Sequence, residues 1–298
     1  MKYSLKRFLK NLKFLLKHDL DKKDKDLKVD ILKSVEDIYY YEILDKEKEK
    51  HRYMLDVLNY DKTIDLLLNQ PKNFCRFGDG EIEIMMGNNI PFQKYNEELK
   101  NIMLKILESN NENLYVGINY NYFHSIDNFN ETSKNFYLLY AKKYRDFLLK
   151  HCNKNRKYIA AGFTQLYMGL NNFNYNIYFE KARLLFKNRE LVIFAGDGVL
   201  NKLKYDIFEL AKSKEYIKAP NIHAFSEFDN LFNKALESPP DKKTFVFILG
   251  PCAKPLVYKL AEQGYMAWDI GHLAKDYDAY MRGIDKNEEN IVEFFKPD

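Results

Sequence analysis

Cysteine is scarce in this chain of 298 residues: there are three, Cys75, Cys152 and Cys252. They lie far apart, are odd in number and form no C-x-x-C pair. That spacing argues against a zinc site or a disulfide framework and fits a reducing, cytoplasmic compartment. Long apolar runs are also missing, since none approaches the roughly 18 residues that a membrane-spanning helix needs. The N-terminus lacks the apolar core and small-residue cleavage site of a signal peptide. Neither sign of charge dominates: 47 Lys and Arg against 43 Asp and Glu leave a net charge of +4. No strand carries basic residues interleaved with aromatics, so nucleic acid is not an expected partner. There is no G-x-G-x-x-G and no G-x-x-x-x-G-K-[ST], which excludes a dinucleotide fingerprint and a P-loop. No serine lies in a G-x-S-x-G elbow and no cysteine has a readable catalytic partner, so hydrolysis through a nucleophile lacks support. His124, His151 and His223 show no metal-ligand spacing.

What is present supports a real core. Hydrophobic residues make up 46% of the chain and aromatics 15%, which suits both core filling and the lining of a ligand cleft. The first 18 residues hold six Lys or Arg and no acid, with Leu5, Leu9, Leu12 and Leu16 at helical spacing. Such a basic amphipathic helix suits the inner face of an anionic membrane or, slightly better, packing on the protein's own body or a second subunit. Residues 19–50 mix Lys with Asp and Glu, the pattern of solvated helix faces. We therefore divide the chain into a charged, helical N-terminal extension (1–54) and one larger domain (55–298). In that domain the apolar runs "NFCRFG", "NLYVGIN", "KYIAAGF", "ELVIFAG", "TFVFILG" and "YMAWDIG" alternate with helical stretches. Those stretches include "EELKNIMLKILES", "NFYLLYAKKYRDFLLKH", "NKLKYDIFELAKS" and "PLVYKLAEQG". The alternation predicts an α/β fold: a Rossmann-like, mostly parallel sheet with helices on both faces.

In such sheets ligands settle beyond the carboxyl ends of the strands. The first strand end reads "CRFGDGEIEIMMG". Asp79 there suits a helix N-cap and Glu81 the first turn, where the helix dipole favours an acid. The same two carboxylates can also converge on one hard divalent cation, with Arg76 and the flanking glycines facing a diphosphate. A D-x-E triplet alone does not choose between cap and metal site. "FAGDGVLNK" sets Asp197 between Gly196 and Gly198, as a turn or at a ligand site. "ILGPCAKP" brings Gly250-Pro251 to a helix entry whose amides suit an anion. "WDIGH" adds Asp269 and His272, and Asp276 and Asp278 follow, facing solvent or an acceptor.

Taken in order, "CRFGDGEIEIM", "LVIFAGDG", "IKAPNIHAFSEFDNL" and "ILGPCAKPLVYKLAEQGYMAWDIGH…DYDAY" resemble the GT-D fold glycosyltransferases. That family was formerly a domain of unknown function and is typified by streptococcal glucosyltransferases acting on glycoprotein glycans. The resemblance covers roughly residues 55–283. It implies transfer of a hexose from a nucleotide sugar, UDP-linked, to a surface-glycan acceptor, with Mn²⁺ or Mg²⁺ as cofactor. Position by position it implies Asp79 and Glu81 for the metal. Arg76, Gly78, Gly80, Gly196, Gly198, Gly250 and Pro251 fall at the donor, and Asp197, Asp269 and His272 at catalytic positions. The chain departs from the family pattern at Gln165, where an arginine is expected, at "VLNKLKYDIF" after the glycine turn, and at Ala274 and Ala279. A divergent enzyme with its own sugar preference fits these departures. So does a non-catalytic partner in glycan assembly; metal-dependent phosphate-ester hydrolysis would need further Asp or His ligands.

Overall fold

The runs read as buried strands do become strands. In the computed structural model, which describes residues 55–240 and 242–296, eight strands form one sheet in the order β1-β4-β3-β2-β8-β7-β5-β6. Every pairing is parallel. In chain order the elements are β1 (Asp56–Val57), α1 (Tyr60–Asn69), β2 (Asn73–Phe77), α2 (Asp79–Met85), α3 (Glu97–Glu108), β3 (Leu114–Ile118), α4 (Glu131–His151), β4 (Lys157–Ala160), α5 (Tyr175–Leu184), β5 (Glu190–Gly196), β6 (Ser213–Ala219), α6 (Phe228–Leu236), β7 (Thr244–Ile248), α7 (Ala253–Glu262), β8 (Met266–Asp269), α8 (Leu273–Arg282) and α9 (Glu288–Phe294). The extension and basic helix read from residues 1–54 lie outside the described residues. No described helix is long and apolar enough to cross a membrane.

All five residues of β2 are buried, so both faces of the sheet are covered at its centre. This is why the central strands read as unbroken apolar runs rather than alternating ones. Phe74 on β2 stacks on Trp268 of the adjoining β8, with ring centroids 5.6 Å apart. Asparagines start many of the helices: the Oδ1 atoms of Asn59, Asn96, Asn130, Asn174 and Asn287 accept the third amide of α1, α3, α4, α5 and α9. Each such cap stabilises its helix by about 1 kcal/mol.

Two segments differ from their sequence reading. "SKEYIKA", not foreseen as a strand, is β6. It lies at the sheet edge with most of its residues exposed, where lysines are favoured and apolar alternation is not required. "NKLKYDIFELAKS", read as a helix, forms only a short 3₁₀ turn at Leu200–Lys202 and then irregular chain. The Asp278 carboxylate accepts the amides of Lys204 and Tyr205 at 2.8 and 3.0 Å, and Asp206 accepts the amide of Phe208. These side-chain acceptors replace the helical carbonyls, while Ile207 and Phe208 still reach the core.

From β2 the chain builds β3 and β4 on one side; β5, β6 and β7 fill the other, and β8 closes beside β2. The order therefore reverses between β2 and β8, which opens a crevice at their carboxyl ends.

Candidate active site

A cavity of about 610 Å³ opens at the carboxyl ends of β2, β3, β4, β5, β7 and β8. At its centre β2 runs into α2. Gly78 is the N-cap, Asp79 the first helical residue and Glu81 the third. Asp79, expected at the cap, thus sits one position inside it. The Glu81 carboxylate reaches back and its Oε2 accepts the Gly78 amide at 2.9 Å. Asp79 accepts from its own amide and that of Gly80, and its carboxylate is accessible from the cavity yet hemmed in by the walls. That enclosure, and then the neighbouring Glu81 charge, push the Asp79 carboxyl up to about 6.

At the cavity floor lies a chain of charges. Lys254, in the first turn of α7 and only 2% exposed, donates to Glu81 Oε1 at 2.6 Å, to Asp269 Oδ2 at 3.1 Å and to the Gly250 carbonyl at 3.0 Å. Three acceptors saturate its three N–H groups. Asp269 also accepts the Arg76 guanidinium at 3.1 Å and the Arg76 backbone amide at 3.0 Å. The Arg76 fork donates further to the carbonyls of Asp269 and Ala161 and to the Thr164 hydroxyl. Gly271 makes room for that fork, since a Cβ there would lie 1.7 Å from Arg76 Nη2. Burial alone would raise the Asp269 carboxyl, but Arg76 and Lys254 hold it below the ordinary carboxylate range. Burial would likewise lower Lys254, and Asp269 and Glu81 outweigh it.

These contacts sort the sequence-read residues. Arg76, Gly78, Asp79, Gly80, Glu81, Gly196, Gly250, Pro251 and His272 line the cavity, whereas Asp197, Gly198 and Asp269 do not. Asp269, read as catalytic, is 1% exposed and its carboxylate is paired with Arg76 and Lys254. Arg76, read as a diphosphate partner, spends its guanidinium on Asp269, Ala161 and Thr164. Gly196 is bare for a different neighbour, because a Cβ on it would meet Asn221 Oδ1 at 2.3 Å. Asp276 and Asp278, read as facing solvent or acceptor, are buried; Asp276 accepts the amides of Tyr167 and Met168 at 2.9 and 3.2 Å.

Asp197 pairs at 2.9 Å with Lys218 on the neighbouring edge strand, and both side chains are largely exposed. Exposed pairs of this kind contribute little. Asp197→Asn is expected to keep thermal stability within about 1 kcal/mol of wild type, as read by melting.

His272 faces the cavity, packed against Phe92, Phe294 and Phe295. Desolvation, and then the charges of Arg76, Lys275 and Lys254, push its imidazolium down to about 3. It is therefore neutral at pH 7, able to hold a hydrogen bond but a weak proton acceptor.

Lys254 escaped the sequence reading, although one signal for it was present. A lysine in the first turn of a helix opposes the helix dipole, a misfit that its pairing with buried acids offsets here. The aromatic wall formed by Phe129, Phe136 and Tyr137 also went unread, because no spacing separates cavity aromatics from core ones.

The residues at Phe74 to Val292 match the family described as glycosyltransferase GT-D fold, over positions 74–292. A protein named probable glycosyl transferase Gly, from Streptococcus gordonii, is 28% identical over 237 residues, which is 79% of this chain and 34% of that protein. Glycosyltransferase GlyD of Streptococcus pneumoniae serotype 4 is 30% identical over 232 residues, 77% of this chain and 28% of that protein. The chain thus spans about a third of the length of these curated relatives. Among solved structures, a highly conserved domain of unknown function described as having a distinct glycosyltransferase fold superposes with a TM-score of 0.72 at 27% identity, covering 82% of this chain and 91% of that one. A structure described as a new glycosyltransferase from Streptococcus sanguinis gives a TM-score of 0.72 at 26% identity, covering 82% and 95%.

Proposed function

The chain belongs to the glycosyltransferase GT-D fold family, and from that premise we propose that it transfers a hexose from a UDP-sugar to a surface-glycan acceptor with a divalent cation at Asp79 and Glu81. The observation that carries this reading is the Asp79 carboxylate, which opens into the cavity at the start of α2 with, among the described residues, no bond to another element's side chain. Oxygen ligands suit Mg²⁺ and Mn²⁺, which commonly take one or two carboxylates and complete their shell with water and substrate phosphate. Glu81 fits as the second ligand because each of its oxygens, with one bond accepted, keeps a lone pair. A bound cation would supply neutralisation of the charge that develops on the departing diphosphate.

The protein's own groups do the rest. Lys254 holds Glu81 in one rotamer, and the α2 amides beside Asp79 point their dipoles at the same region. His272, neutral, holds a hydroxyl by hydrogen bonding rather than removing its proton. Phosphate-ester hydrolysis, which would need further Asp or His ligands, draws less support, because Asp197 does not line the cavity and pairs with Lys218.

Calorimetric titration with UDP, with and without Mn²⁺, tests the reading, together with release of glucose from UDP-glucose in the absence of acceptor. UDP binding that requires the metal, with slow metal-dependent hydrolysis, is the expected result. Metal-independent binding, or no turnover with any UDP-hexose, would overturn it and leave the non-catalytic partner as the better description.

A further inference from the structure

One wall of the cavity is contributed by α4. Thr132, Ser133, Phe136 and Tyr137 face the cavity from the first turns of this helix. One turn further on, Tyr140 continues the row outside it, with its ring centroid 5.4 Å from that of Phe136. Residues four apart share a helix face, so the row climbs from the cavity to open surface. Tyr140 is 42% exposed, and Leu139 beside it 46%. The row ends on a fixed anchor. Tyr144 stacks on Tyr140 at 6.0 Å and donates its hydroxyl to Glu83 of α2 at 2.7 Å, and Lys143 pairs with the same carboxylate. At the inner end the Tyr137 hydroxyl and the Asn119 side chain hydrogen-bond each other.

We propose that this α4 row is the acceptor-glycan platform, with the acceptor sugar against Phe136 and the following sugar against Tyr140. The proposal rests on the glycosyltransferase reading and adds the place and chemistry of acceptor binding. A pyranose has an apolar C–H face and a rim of hydroxyls. Ring faces take the first, while the nearby Thr132 and Ser133 groups take the second. A nucleotide sugar can be enclosed by the cavity, but an acceptor that is part of a longer glycan must leave it. The row is a continuous surface that leads out. Its attachment to α2 through Glu83 keeps it in register with Asp79, so that the sugar hydroxyl and the donor meet at a set distance.

An array of immobilised oligosaccharides, probed with the labelled full-length protein in the presence of UDP and Mn²⁺, tests this. Wild type is expected to retain a subset of glycans. Phe136→Ala should lose about tenfold in that binding. Tyr140→Ala, on the surface and with little effect on folding, should lose about threefold. UDP affinity should be unchanged in both. Glycan binding that is absent in wild type, or equal in both variants, overturns the platform. Loss of UDP affinity in Phe136→Ala gives the wall to the donor and overturns it as well. A photo-crosslinker placed at position 140 that captures residues 1–54 of the same chain gives the row to that segment instead. Failure of UDP to bind wild type at all would count against the glycosyltransferase reading; intact UDP binding without any effect of the row would count only against the platform.

Discussion

Asp79→Asn is expected to lower sugar transfer by about 10²–10³-fold while leaving the fold intact. The substitution keeps the side chain's size and its place in the first turn of α2, and it removes the charge that a divalent cation requires. Titration with UDP should lose its dependence on Mn²⁺. Stability should not fall, because this carboxylate bonds only amides of its own helix turn. A carboxyl pushed up to about 6 keeps a proton in the folded chain that the unfolded chain has already released above about pH 4. Stability therefore decreases as pH rises between those values, and the asparagine variant lacks that decrease. At pH 7 it should melt at or above the wild-type temperature. Retained activity, or a clear drop in melting temperature, would show that Asp79 serves only to stabilise the first turn of α2.

Lys254→Met should be costly in a different way. The lysine is the shared partner of two buried carboxylates, Glu81 at 2.6 Å and Asp269 at 3.1 Å. Removing one member of a buried ion network strands the others, at a cost of about 3–5 kcal/mol. Asp269 keeps Arg76, so most of the loss should trace to Glu81. Denaturant unfolding of the single and double variants checks the origin. Adding Glu81→Gln to Lys254→Met should restore part of the stability, since the amide needs no counter-charge, while sugar transfer stays low. A double variant no more stable than Lys254→Met alone would place the loss in packing instead.

The contrast between these two residues shows where reading the chain stopped. Asp79 was visible because its signal is local: an apolar run, a glycine and an acid at a helix start, all within "CRFGDGEIE". The strand runs of β2, β3, β4, β5, β7 and β8 were visible for the same reason, as was their parallel arrangement from strand–helix alternation. β6 was missed because an edge strand needs no apolar face. "NKLKYDIFELAKS" was misread because its apolar spacing imitates a helix that the Asp278 carboxylate, from α8, prevents.

The charge network is the clearest case. Arg76 and Asp269 stand 193 positions apart, and they meet because β8 closes the sheet beside β2. No period or motif carries that information, since strand order is set by how all the helices and strands bury their apolar faces together. The sequence alone determined the α/β class, the strands at the centre of the sheet and the carboxylate pair at the mouth of β2. Only the tertiary structure decided that Asp79 opens to the cavity, that Glu81 is held by Lys254, and that Asp269 supports the site from below. A local pattern can place a charge at the end of a strand, but its neighbours are chosen by packing across the whole chain.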